Sequence, residues 1–303
     1  MDSRGAGGLG RDSHRSDHLV CAVVSSRAVL ITGCSSGIGR ATAERLAGEG
    51  WRVYATARRP ETIADLKEKG CDTLALDVCD EASMSAAVGA VSAAHGAVAV
   101  LVNNAGYSQS GAVESVSPDQ ARRQFETNVF GLIRMCQLVL PGMRAQRWGR
   151  IVNIGSMGGR LTFPGGGLYH ATKYSLEAIS DALRFEVRGF GVDVILVEPG
   201  LIVTNFGEVA SASVQSAADA GPYAGFNRAV AQKTAGIYRG PLSRLGGGPE
   251  VVAGAILEAL TTQRPKARYP VTLSARLMIA LRRLAPDRVW DLIMRTQFPS
   301  PGG

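Results

Sequence analysis

The chain has 303 residues, 46% of them hydrophobic and 19% charged, which suits a globular protein with a large core and excludes a disordered one. No apolar run reaches the ~18 residues needed to span a bilayer. The net charge of +7 falls almost wholly from Arg264 onward, where eight Lys/Arg meet two Asp, so the protein has a basic tail and nucleic-acid binding is a poor inference.

Residues 1–26 are rich in Gly, Ser, Arg, Asp and His without periodicity, and predict a disordered N-terminal extension. Leu19 to Val24 is too short for the core of a secretory signal, and Asp2, Asp12 and Asp17 argue against a transit peptide. The five cysteines are odd in number and lack metal spacing, which predicts reduced thiols in a cytoplasmic protein and no metal site.

Strands and helices then alternate. Strands are expected at Ala28–Thr32, Arg52–Thr56, Thr73–Leu76, Val98–Val102, Arg150–Ile154 and Val192–Val197. Helices are expected at Ala41–Gly48, Asp80–Ala94, Pro118–Arg144 and Ala171–Arg188. The pattern predicts one doubly wound Rossmann-type α/β domain over residues 27–272, with a parallel sheet of six to seven strands and helices on both faces. Residues 205–248 lose periodicity and read as a long substrate loop. Pro249 opens another helix, and Arg268–Val271 is a candidate strand that Pro270 restricts to an edge. Residues 273–303 form a basic amphipathic extension, a helical lid carrying Leu277, Leu281 and Leu284.

The first strand runs into Thr32-Gly33-Cys34-Ser35-Ser36-Gly37-Ile38-Gly39. Three glycines permit tight backbone geometry, and the helix that follows turns its N–H groups and positive dipole end into the turn, a site for a diphosphate. Cys34 reads as a small filler. The second strand ends Ala57-Arg58-Arg59. In dinucleotide folds an acid near this point holds the ribose 2′-OH of NAD. Ala57 cannot repel a 2′-phosphate, and Arg58 offers it forked donors, with Ser35 as a helper. NADP(H) is therefore expected, against the alternative of two merely solvated arginines. Further on come Asp77-Val78, Asn103-Asn104-Ala105-Gly106, Asn128, Ser156 and Tyr169-His170-Ala171-Thr172-Lys173. Tyr169 and Lys173, four apart, share a helix face.

In this order, the glycine turn, the Asn-Asn-Ala-Gly word, Asn128, Ser156 and the Tyr-x-x-x-Lys pair resemble the short-chain dehydrogenase/reductase family, strongly over about residues 27–205, with similarity to its steroid- and retinoid-type NADP-dependent members. Two departures stand beside the match: Ala99 where an Asp is usual, and Gly155 for a common Ser. The resemblance implies a cofactor site of Gly33, Ser35, Ser36, Gly37, Ile38, Gly39, Arg58, Asp77, Val78, Asn104, Ala105, Gly106, Tyr169, Lys173, Pro199, Gly200, Ile202 and Thr204. Asp77 is equally readable as a helix cap. It implies catalysis by Asn128, Ser156, Tyr169 and Lys173.

Hydride transfer to a carbonyl needs a proton on its oxygen. A free tyrosine titrates near ~10, and bringing it to neutrality requires ~4 kcal/mol, to which a nearby ammonium contributes. Tyr169 is thus the expected general acid/base, Lys173 its tuner and a ribose ligand, and Ser156 the partner of the substrate oxygen; Asn128 would hold a water linking Lys173 to solvent. His170 is given no chemistry.

Met157, Leu161, Phe163, Phe206, Tyr223 and Phe226 are expected near the pocket, with Ser156, Met157, Phe163, Tyr169 and Phe206 against the substrate. An apolar pocket suits a lipophilic alcohol or ketone. The family likeness implies a homodimer or homotetramer through helices 118–144 and 171–188. Two other readings stay open: an NADPH-binding pseudoenzyme of the same fold, and a membrane-surface protein whose basic tail makes a peripheral contact.

Overall fold

The computed structural model describes residues 27–204, 206–215, 221–237 and 245–301; the expected extension 1–26 and parts of the 205–248 segment lie outside the described residues. Among the described residues seven strands hydrogen-bond in the order β3-β2-β1-β4-β5-β6-β7, all parallel. They are β1 Ala28–Ile31, β2 Arg52–Ala57, β3 Asp72–Ala75, β4 Val100–Asn103, β5 Gly149–Ile154, β6 Val192–Pro199 and β7 Arg268–Val271.

The sheet is covered on both faces, so its central strands read as unbroken apolar runs. Side chains alternate: Val29 and Ile31 join the core beneath α1 (Gly37–Gly48) and α8 (Pro249–Thr261), while Ala28 and Leu30 join the core beneath α2 (Glu81–His95), α4 (Gly131–Ala145) and α5 (Gly167–Val187). Leu30, Ile31, Leu101 and Ile151 are fully buried, each burial stabilising by ~1.5–3 kcal/mol. Pro270 lies in β7 opposite Glu198, on the edge strand where a missing N–H is tolerated.

Several expectations shift. The helix expected over 118–144 is α3 (Pro118–Phe125), one π turn over Glu126–Phe130, then α4. The extra residue of that turn carries Asn128, as π turns at functional sites commonly do. α5 starts at Gly167, four residues before the expected Ala171, so Tyr169 belongs to its first turn. The described part of the segment 205–248, expected as a loop, carries two helices, α6 (Phe206–Gln215) and α7 (Ala224–Ile237), whose Ala/Ser composition hides the apolar period. A 3₁₀ stretch at Pro60–Lys69 has no counterpart among the expected elements. Asp80 caps α2 by accepting from Ala82 and Ser83 N–H, so Asp77 is not the cap.

The C-terminal extension folds as α9 (Leu273–Leu284) and α10 (Asp287–Gln297). Its inner face is Ala275, Met278 and Ile279 on α9 with Trp290 and Met294 on α10, packed on Met157, Leu161, Phe163 and Leu201. Leu273, Leu277, Leu281 and Leu284 face out.

Candidate active site

The chain leaves β1 for β2 on one side, and β4 lies on its other side. The crevice at their C-terminal ends is the switch point where ligands bind in open α/β sheets. Thr32 joins its two walls: its Oγ1 accepts from Asn104 and Ala105 N–H, both at 3.0 Å. The Asn104 amide donates to the carbonyls of Thr32 and Gly33, each at 2.9 Å. Asn104 thus shapes the glycine turn with the side chain expected to meet a cofactor.

Gly33 has φ +74°, and a Cβ there would sit 3.0 Å from Ala105 Cα. A Cβ on Gly39 would collide with the Asn104 amide and the Gly33 carbonyl. Two of the three glycines therefore hold turn, helix and β4 together. Gly37, at φ +59°, faces the Thr204 methyl across the cleft. Ser35 and Ser36 are exposed, Ile38 is half-buried, and Ser36 leaves the first N–H groups of α1 without a side-chain cap. Burial pushes the Cys34 thiol up to about 12, consistent with a filler.

Ala57 is buried at the end of β2, and Arg58 and Arg59 emerge beyond it. Among the described residues no carboxylate pairs with either, whereas Arg40 is taken by Glu44 and Asp65. Asp77 accepts from Cys79 N–H at 3.0 Å; Val78 is buried against Gly131, and Gly106 lies beside the Asn128 amide. On the far wall, Gly200 N–H donates to Val271 O at 3.1 Å after Pro199, and Ile202 bridges to Gly247.

Ser156 follows β5 and caps a short 3₁₀ turn, Met157–Gly159, its Oγ accepting from Gly158 N–H at 2.9 Å. Tyr169 and Lys173 lie one turn apart on α5, with the ammonium 5.8 Å from the Tyr169 ring centre. Lys173 is buried, donates to Ile154 O at 2.7 Å, and burial pushes it down to about 8. Asn128 exchanges two hydrogen bonds with the Tyr107 backbone, at 3.1 and 2.9 Å. It also donates to Thr172 Oγ1 at 3.1 Å, which donates in turn to Tyr169 O at 2.7 Å. Asn128 therefore reaches the helix of Tyr169 and Lys173 through Thr172, a residue that no motif in the sequence singles out.

His170 also proves structural to the site. It is buried, its Nε2 accepts from Phe163 N–H at 3.1 Å, and its Nδ1–H faces Gly158 O at 2.9 Å. That pattern fixes the neutral Nδ1–H tautomer and clips both ends of the loop after Ser156; burial holds its pKa below the usual range. The only sequence signal is its place beside Tyr169. Of the aromatic residues expected near the pocket, Phe206 lies 5.5 Å from Tyr169 with the rings tilted by 55°, and Phe163 lies 5.9 Å from His170. Met157 is buried behind Ser156. Leu161 packs with Phe163 and Trp290, Tyr223 donates to Glu114, and Phe226 packs with Val214 of α6 and Val230 of α7.

Residues 27–214 match the family described as short chain dehydrogenase. The uncharacterised oxidoreductase YbbO of Escherichia coli (strain K12) is 34% identical over 284 residues, covering 93% of this chain and 99% of its own. The NADPH-dependent 3-dehydrocapnine reductase of Ornithobacterium rhinotracheale is 34% identical, covering 88% and 95%. A crystal structure of a short-chain dehydrogenase from Streptomyces avermitilis superposes with a TM-score of 0.75 at 35% identity, covering 90% of this chain and 98% of that one. Solved structures of this fold carry NADP in some cases and NAD in others. The chain belongs to the short-chain dehydrogenase family and is an oxidoreductase of that type.

Proposed function

We propose that this protein is an NADP(H)-dependent oxidoreductase that interconverts a secondary alcohol and a ketone, or an aldehyde, on a lipophilic small molecule. The observation that carries the reading is the Tyr169 ring beside the buried Lys173 ammonium, on the helix next to the Ser156 loop. The glycine turn fits a dinucleotide, because it leads into the N-terminus of α1, whose first N–H groups no side chain caps. When bound, the cofactor supplies or accepts the hydride. Ser156 Oγ takes Gly158 N–H with a lone pair and keeps its own proton to donate to the substrate oxygen. Tyr169 delivers or removes the proton at that oxygen, with the Lys173 cation favouring the phenolate. Asn128 orients the helix through Thr172, and a water it holds would complete a path to solvent.

Arg58 and Arg59, free of carboxylates among the described residues, support NADP over NAD, as does the NADPH named for the Ornithobacterium relative. Met157, Phe163 and Phe206 support a lipophilic substrate. Residues 27–272 serve as the catalytic unit in this reading, in a cytoplasmic protein of reduced cysteines; no described helix is long and apolar enough to cross a membrane. The test is NADPH oxidation with a panel of lipophilic ketones and aldehydes, on wild type and Tyr169→Phe. Turnover that collapses in the variant supports the reading. NADPH binding without turnover of any carbonyl overturns it in favour of a sensor of the same fold.

Two contact surfaces accompany this reading. Phe130, Tyr174 and Phe185 project from the π turn and α5, with Phe185 87% exposed, and support pairing of two chains there. Sedimentation of Phe185→Glu beside wild type tests it. The outer face of α9 sets Leu273, Leu277, Leu281 and Leu284 beside Arg276 and Arg283, neither paired with a carboxylate among the described residues. An anionic lipid surface satisfies both the leucines and the arginines, whereas a second copy of the face would set arginine against arginine. Flotation on anionic but not neutral phosphatidylcholine vesicles, lost in Leu277→Asp/Leu281→Asp, is expected; equal flotation of wild type and variant overturns it.

A further inference from the structure

Three segments of the site converge on one cluster of charges whose inner members, Glu177 and Glu198, are buried. Arg160 lies four residues after Ser156. Glu177 lies one turn beyond Lys173 on α5. Glu198 is the residue before Pro199 and Gly200 on β6. The Arg160 guanidinium reaches Glu198 at 3.4 Å and Glu177 at 3.6 Å. From β7, Arg268 closes the other side, at 2.9 Å to Glu177, 2.7 Å to Asp181 and 3.9 Å to Glu198. Packing is close at the join: a Cβ on Gly159 would lie 2.9 Å from Lys173 O and 3.1 Å from Glu177 Cγ.

Asp181 also has Arg184 at 2.6 Å, whereas Glu177 and Glu198 crowd onto the same two arginines, Arg160 and Arg268. Glu198 is only 2% exposed, and the Glu177 Oε1 atom is buried without a hydrogen-bond partner. A buried orphan acceptor costs free energy unless a donor reaches it. The two carboxylates share their partners' nitrogens: Arg160 Nη1 faces both, and Arg268 Nε faces both. A proton on Glu198 supplies the missing donor, as when two close carboxylates share one proton.

We propose that Glu198 is a positioning residue: it shares one proton with Glu177 inside a clamp of Arg160 and Arg268, and the clamp holds the Ser156 loop, the Tyr169–Lys173 helix and the Pro199–Gly200 turn in register. Burial first, then the neighbouring Glu177, raise the Glu198 carboxyl well above the usual carboxylate range. The other charged groups around the clamp are Lys173 and His170 on α5, both held below their usual values by burial, and Arg184, which pairs with Asp181. Ile154 to Ser156 and Thr272 to Ala275, which pack nearby, bring no charge.

The positioning role rests on the reductase reading; the shared proton does not. An unfolded chain releases the Glu198 proton in the ordinary carboxylate range, while the folded chain keeps it toward neutrality. Stability contributed here is present at acid pH and falls as pH rises between about 5 and 8. The experiment compares wild type, Glu198→Gln, Glu198→Ala and Arg160→Ala by melting temperature and by kcat and kcat/KM for carbonyl reduction across that range. In Glu198→Gln the amide donates N–H where the acid donated O–H. Glu198→Gln is expected to lose the acid-to-neutral fall in Tm, keep wild-type kcat near pH 6 within threefold, and lose the alkaline fall in kcat/KM. Glu198→Ala is expected to lose at least tenfold in kcat. Should it fail to fold, the partly exposed Arg160→Ala carries that arm with the same loss. A Tm profile of Glu198→Gln parallel to wild type would overturn the shared proton. Wild-type kcat and pH profile in Glu198→Ala, or in Arg160→Ala where that carries the arm, would overturn the positioning role. Failure of wild type to reduce any carbonyl would count against the reductase reading alone, since the melting arm needs no turnover.

Discussion

The ammonium of Lys173 donates a 2.7 Å hydrogen bond to the carbonyl of Ile154, the last residue of β5. The bond pins the cation beneath the strand that leads to Ser156 and leaves it 5.8 Å from the Tyr169 ring centre. Lys173→Met is expected to lower kcat by about 10²–10⁴-fold, the range typical of general acid–base catalysis, and to weaken cofactor binding as well. Tyr169→Phe should lose a comparable factor in kcat while still binding NADPH. Steady-state kinetics beside a fluorescence titration separate the two, and a Tyr169→Phe enzyme with wild-type kcat would remove the tyrosine from the chemistry.

Arg58 makes no ion pair within the described chain, so its guanidinium has nothing to release before meeting a 2′-phosphate. Charge-assisted hydrogen bonds contribute about 1.5–3 kcal/mol, or roughly 10- to 100-fold in affinity. Arg58→Ala should weaken NADPH by that factor and leave NADH nearly unchanged. Calorimetric titration of both nucleotides checks it. Equal losses for both would show that the arginine reads the diphosphate or nothing.

His170 supplies a different pH dependence. Its folded pKa lies below the ordinary value because it is buried, so as pH falls the unfolded chain takes up the proton first. The stability it contributes is present above the ordinary histidine range and is lost as pH falls through about 6.5 and below. Protonation would also destroy the Nε2 acceptor that Phe163 N–H uses. His170→Asn is expected to melt lower at pH 7.5 and to show a flatter Tm profile between about pH 7 and 5. A variant with the wild-type slope would place the acid sensitivity elsewhere.

Two glycines make a matched pair. Gly39 has no room for a Cβ between the Asn104 side-chain amide and the Gly33 carbonyl, and neither can yield without breaking the hydrogen bonds that shape the glycine turn. Gly39→Ala should destabilise by about 1–3 kcal/mol and abolish nucleotide binding. Gly254 is exposed within α8, and a methyl added there would meet nothing within 4 Å, so Gly254→Ala should stabilise by about 0.5–1 kcal/mol with kcat unchanged. Thermal melts in parallel test both signs.

The glycine turn, the Asn-Asn-Ala-Gly word and the Tyr169–Lys173 pair are legible in the sequence because each needs particular residue types at fixed offsets within one local element. Pro270 announces its edge strand for the same reason. What stays hidden depends on distant partners. The period of Leu277, Leu281 and Leu284 marks a stripe on α9, but nothing local says whether that stripe or the one with Ala275, Met278 and Ile279 turns inward; the packing on Phe163 and Trp290 decides it. Likewise Arg160, Glu177, Glu198 and Arg268 are separated by up to about a hundred residues and meet only once β6 and β7 pair. Asp77 reads as a helix cap on paper, but the side chain that accepts from the first turn of α2 is that of Asp80.

The π turn over Glu126–Phe130 has an evolutionary consequence. It amounts to one residue inserted into an otherwise regular helical run, and every residue beyond it is rotated relative to α3 by that insertion. Deleting a single residue there would restore an unbroken α-helix with better local hydrogen bonding. The same deletion would swing Asn128 away from Tyr107 and Thr172. A lineage under selection for heat resistance alone would be expected to heal this defect, whereas one that must keep turning over substrate is held to the irregular form. The irregular turn is therefore tied to the placing of one side chain, Asn128, and not to the regularity of the helix.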